Sequence, residues 1–132
     1  MRTQVDGNEV FYGTGSGAPA DDARTLIFVH GAGFDHTIWV MPARYFARPG
    51  WRVVAGDLPA HGRSQGAALT SIEQLADWLA RLIDTVSPNQ RASVVGHSMG
   101  SLVAMSAAAR YAGKVEKLAL LGTSAPMPVA DV

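Results

Sequence analysis

The stretch that most restricts what this chain can fold into spans residues 92–112. Ser93, Val94 and Val95 read as the end of a short buried strand, and residues 102–111 read as a helix of small and apolar residues. Between them stands Gly96-His97-Ser98-Met99-Gly100, a G-x-S-x-G pentapeptide. A strand turning directly into a helix through that pattern is a nucleophile elbow. So tight a turn strains the central backbone and leaves little room for side chains two places away, a condition that Gly96 and Gly100 meet. The Ser98 hydroxyl is expected to stand above the strand end, at the positive end of the following helix, where developing negative charge is favoured. The pentapeptide alone is equally compatible with a glycine-rich turn carrying an exposed serine, so its surroundings decide.

Those surroundings alternate strand and helix. Residues 3–12 read as two short strands around the hairpin turn Asp6-Gly7-Asn8. After a loop over residues 13–22, residues 25–29 (Thr-Leu-Ile-Phe-Val) form a continuous apolar run, as in a strand buried on both faces of a parallel sheet. It ends in His30-Gly31-Ala32-Gly33, too small and glycine-rich for core packing. Pro42 is expected to open a short helix that closes at Pro49-Gly50. Residues 51–55 are another buried strand, ending in Asp57-Leu58-Pro59-Ala60-His61-Gly62-Arg63-Ser64.

Thr70 and Glu73 are spaced as a capping box, and apolar residues from Ile72 to Val86 then recur at intervals of three and four until Pro88. Gly113 is the expected stop of the helix after the elbow, and residues 115–121 a last strand. Such alternation predicts an α/β fold, a mostly parallel sheet with helices on both faces. Ligands of such sheets bind beyond the carboxyl ends of the strands, where three of these loops converge.

Composition narrows the classes. With 132 residues, 48% of them hydrophobic, the chain reads as a single domain over residues 1–132. Eleven acidic residues balance eleven basic ones, without runs, which argues against nucleic acid or an anionic membrane as partner. There is no cysteine, so thiolate metal sites and disulfides are excluded, and neither a metal nor a cofactor is expected. No signal-like or membrane-spanning apolar run is visible, and a cytoplasmic location is the expectation.

Taken together, the three loops resemble those of the α/β-hydrolase family. His30-Gly31-Ala32-Gly33 is similar to its H-G-x-G oxyanion loop after the third strand. Residues 57–64 are similar to its D-x-x-x-H-G-x-S segment after the fourth, and residues 96–100 to its elbow after the fifth. Order and spacing agree, as does Trp39 beyond the first loop. The resemblance implies Ser98 as nucleophile and an oxyanion hole from the backbone N–H groups of Met99 and Ala32. His30, Gly31, Gly33, Asp57, His61, Gly96 and Gly100 would support these loops. Serine rather than aspartate at the nucleophile position points to esterase or thioesterase chemistry on small esters.

The resemblance reaches only through the sixth strand, so the chain is expected to be a truncated α/β-hydrolase fold. The family's usual triad acid and histidine follow later strands. Four histidines are available as base. His97 is expected to turn into the sheet, His30 to organise its loop through backbone hydrogen bonds, and His61 to tie down the loop after the fourth strand. His36, beside Asp35, is the candidate base and Asp35 its candidate acid, with Asp57 and Asp131 as other carboxylates. The alternative is that one chain holds no competent base. In that case it acts as a binding or self-associating module. Ending near the sixth strand would leave residues 115–121 as an open apolar edge, and a homodimer or larger even-numbered oligomer is expected there.

Overall fold

A computed structural model of the chain describes residues 1–122. Ten elements follow one another: β1 (Arg2–Val5), β2 (Asn8–Gly13), β3 (Arg24–Val29), a short 3₁₀ helix (His36–Trp39), α1 (Val40–Phe46), β4 (Trp51–Gly56), α2 (Ile72–Val86), β5 (Ala92–His97), α3 (Met99–Arg110) and β6 (Val115–Leu121). The six strands form one sheet in the order β1-β2-β4-β3-β5-β6. β3, β4, β5 and β6 run parallel, and the β1–β2 hairpin joins antiparallel through Tyr12 and Gly13 on β4. The hairpin closes through Asp6 and Gly7, both at positive φ, the geometry that matches strand twist in a two-residue turn.

Both faces of the sheet are covered, as the continuous apolar strands require. On one face Ile27, Val29, Val54 and Val94 pack against α2 and α3. α2 alone buries Leu75, Ala76, Trp78, Leu79, Ala80, Leu82 and Ile83, and each large side chain so buried contributes roughly 1.5–3 kcal/mol. On the other face Leu26, Phe28, Val53 and Ala55 meet Trp39 and Ala43 of the 3₁₀ helix and α1. Gly15 and Gly17 let the loop after β2 lie against α1: a Cβ on Gly15 would stand 2.3 Å from the Ala43 carbonyl oxygen. Among the described residues no helix is long and apolar enough to cross a membrane.

Four local expectations are corrected. The first helical turn starts before Pro42, because the Asp35 carboxylate accepts from the Thr37 N–H and caps the 3₁₀ helix that leads into α1. Pro42 then falls in the first turn of α1, where a missing N–H costs little. The cap of α2 is Ser71 rather than Thr70: its side chain accepts from the Gln74 N–H, while Gln74 reaches back to the Thr70 N–H. α3 begins at Met99, directly after the elbow serine, and not at Leu102. It ends at Arg110 with Tyr111 as C-cap, and Gly113 does not take the left-handed conformation of a helix-terminating glycine.

Candidate active site

β3, β4 and β5 deliver their following loops to the same rim of the sheet, because all three run parallel. Ser98 sits in the one-residue gap between β5 and α3, with φ 56° and ψ −121°. That positive-φ backbone is a strained conformation for a residue with a side chain, worth on the order of 1–3 kcal/mol. Its surroundings hold it there. The Ser98 N–H donates to the Leu121 carbonyl (3.0 Å), and the Ser98 carbonyl accepts from both the N–H (2.9 Å) and the hydroxyl of Ser101.

The two glycines of the pentapeptide answer to backbone contact. A Cβ on Gly96 would come within 2.4 Å of the Gly100 carbonyl oxygen, and one on Gly100 within 2.2 Å of the Val29 carbonyl oxygen. The elbow is thus pressed against the end of β3. A Cβ on Gly31 would lie 3.3 Å from the Ser98 Cβ, so the loop after β3 passes directly beside the serine. Ala32 follows, half-buried, in a turn closed by the Phe34 N–H on the Gly31 carbonyl (3.2 Å). Met99 is the first residue of α3, so its N–H precedes the first intrahelical hydrogen bond and is free of that ladder.

The histidines have distinct environments. His30 is fully buried: its Nδ1 pairs with the Gly31 carbonyl (2.8 Å) and its Nε2 accepts from the Leu58 N–H (3.1 Å), linking the loops after β3 and β4. Burial pushes its pKa below the ordinary value of 6.5, against the opposing pull of the Gly31 carbonyl. His61 pairs through Nδ1 with the Pro59 carbonyl (2.9 Å) and accepts at Nε2 from the Gly33 N–H (3.4 Å), a second tie between the same loops. His97 packs edge-on to Trp39 and near Phe34, on the α1 face of the sheet. Its Nδ1 and the Trp39 Nε1 are buried without a hydrogen-bond partner among the described residues.

His36 is turned toward β4 and β2. Its Nδ1 donates to Oδ1 of Asp57 (2.8 Å), the same oxygen accepts the His36 N–H (2.7 Å), and its ring lies 4.8 Å from that of Phe11. Asp57 and β5 are separated by β3, about 10 Å of sheet. The His36–Asp35 pairing expected from adjacency is corrected accordingly. Asp35 gives its carboxylate to Thr37, whose hydroxyl and N–H hold its pKa below the usual range, and the carboxylate on His36 is Asp57. No histidine hydrogen-bonds Ser98 among the described residues, and Asp131 lies outside them.

Asp57 is fully buried and its second oxygen accepts the Arg63 N–H (2.8 Å). Gly62, at φ +51°, curls so tightly over it that a Cβ there would stand 2.3 Å from Oδ2. Sequence reasoning marks Asp57 as a loop support and misses its bond to His36; a separation of 21 positions carries no local signal. Asp35, His36 and Asp57 bring possible metal-ligand atoms within 4.8 Å of one another. Asp35 Oδ1 is taken up by Thr37, and the two Asp57 oxygens by His36 and the Arg63 N–H, so these contacts knit the cluster as a loop anchor.

Residues 24–132 match the family model of the alpha/beta hydrolase fold. The chain is 35% identical over 116 residues to a pimeloyl-[acyl-carrier protein] methyl ester esterase of Neisseria meningitidis, covering 84% of this chain and 41% of that protein. It is 38% identical over 118 residues to the dihydrolipoyllysine-residue acetyltransferase component of the acetoin cleaving system of Cupriavidus necator, covering 89% and 30%. The solved enol-lactonase of Burkholderia xenovorans LB400 superposes with a TM-score of 0.77 at 28% identity, covering 89% of this chain and 45% of that one. The chain therefore spans less than half the length of these relatives.

Proposed function

The chain belongs to the alpha/beta hydrolase fold family, and from that premise we propose that it carries the nucleophile and oxyanion hole for hydrolysis of small carboxylic esters or thioesters. Ser98 Oγ attacks the carbonyl carbon, and the carbonyl electron pair moves onto oxygen. The N–H groups of Met99 and Ala32 receive that oxyanion, each donor being worth about 3 kcal/mol of barrier. Collapse expels the alcohol or thiol and leaves an acyl group on Ser98, which water then removes. The observation that carries this reading is the positive φ of Ser98 with Gly31 packed beside it, since neither a fold nor a binding cleft requires that strain. Esterases and lactonases among the similar proteins support it.

The Ser98 proton needs an acceptor. His36 is committed to Asp57 on the far side of β3, so we place the base outside residues 1–122, on another segment or another chain. An unassisted serine is a weak nucleophile, and turnover by residues 1–132 alone is expected to be slow. Short-chain nitrophenyl ester hydrolysis and fluorophosphonate labelling test the reading. Ser98→Ala should abolish both, while His36→Ala should leave labelling of correctly folded protein in place. Undiminished hydrolysis by Ser98→Ala would end the proposal.

A second association is favoured by β6, the last strand of the sheet, which has a neighbour only at β5 among the described residues. Leu118 is 39% exposed on it. We infer that a second copy of the chain pairs there, since open apolar edges template strand addition and two-fold closure is the commonest outcome.

A further inference from the structure

A cavity of about 290 Å³ opens between β2, the loop after it and α1, and none of Ser98, Ala32 or Met99 lines it. His36 and Arg44 both line it. The Asp57 carboxylate holds Nδ1 of His36 as the protonated nitrogen, which leaves Nε2 as a hydrogen-bond acceptor in the neutral ring. Nε2 adjoins Cδ2, the ring carbon that faces the space left by the missing side chain of Gly13, 3.6 Å from where a Cβ would stand. Arg44 has no ion-pair partner among the described residues, and no acidic side chain lines the cavity. Val40, Ala43 and Ala55 supply an apolar wall.

We propose that this cavity is a binding site for a small hydroxycarboxylate. The carboxylate takes the unpaired Arg44 guanidinium, the hydroxyl donates to His36 Nε2, and a short carbon skeleton rests on the apolar wall. The carboxylate–imidazole pair is a preorganised acceptor: buried Asp57 fixes both tautomer and ring orientation, and the imidazole needs no rearrangement to receive a donor. The site is separate from the serine and does not depend on its chemistry.

Lactate is the probe, followed by two-dimensional amide NMR. Saturable shifts at millimolar lactate are expected for residues 13–16, His36 and Arg44, unchanged in Ser98→Ala. Arg44→Gln, on an exposed helix position, should weaken binding up to about five-fold. Gly13→Ala should weaken it several-fold by intruding on the space; a Cβ at Gly13 has only ordinary contacts, so the variant should keep a native spectrum. Absence of saturable shifts in the wild type, or equal lactate affinity in a natively folded Gly13→Ala protein, would overturn the proposal. Because the readout is binding, failure here leaves the ester-hydrolysis reading intact, and loss of Ser98 activity leaves this one intact.

Discussion

Single residues at the elbow are set by backbone contact more than by chemistry. Gly100 is the sharpest case, since any Cβ there would be driven into the Val29 carbonyl and the carbonyl of His30 at 2.6 Å. Neither is the end of a flexible side chain, so Gly100→Ala should cost at least the roughly 1–3 kcal/mol typical of overpacking, read as a lowered urea midpoint or loss of soluble protein. The pentapeptide pattern alone makes both of its glycines legible in the sequence. Gly62 is marked by the motif over residues 57–64, but its reason, the carboxylate of Asp57 folded back beneath it, is not readable there. His30 supplies a pH signature. Its folded-state pKa is depressed by burial, so as pH falls below 6.5 the unfolded chain takes up a proton first. The stability that neutral His30 contributes is complete above that value and disappears as pH falls through the folded value. Urea midpoints measured between about pH 5 and 7 should fall on acidification, with a flatter dependence in His30→Gln.

At the level of elements, the existence of strands and helices is readable from sequence and their ends are not. The apolar runs that form β3, β4 and β5 lie inside the sheet, and period alone identifies α2. The cap of α2 falls one residue beyond the expected Thr70 because Thr70-Ser71 and Glu73-Gln74 offer two equally spaced pairs, and only backbone geometry chooses between them. Ser71→Ala should therefore destabilise by about 1 kcal/mol. Thr70→Ala should cost less, since its N–H bond to Gln74 survives the substitution; thermal melts of the two variants check this order. The 3₁₀ helix escapes sequence reading for a related reason. Asp35 stands beside a histidine in the manner of a catalytic acid, yet Thr37, two residues on, makes it a cap.

For the whole molecule, the convergence of three loops on one rim is legible, because parallel strands carry their carboxyl ends to one side. Which side chains meet across that rim is not. His36 and Asp57 join through a crossing of the chain over β3 and β4 that no spacing encodes. Association belongs to this scale too. Light scattering at micromolar concentration should give a dimer mass, and Leu118→Lys, on the partly exposed outer strand, should shift it toward monomer. A monodisperse wild-type monomer would count against pairing at β6.

The amide of residue 98 is moored to the carbonyl of residue 121, on the outermost strand. Whatever docks along that border therefore tugs on the bend that carries the hydroxyl, through one peptide-to-peptide link. In the proposed enzyme, a partner seated on the molecule's flank would stand one hydrogen bond away from the serine that it aims.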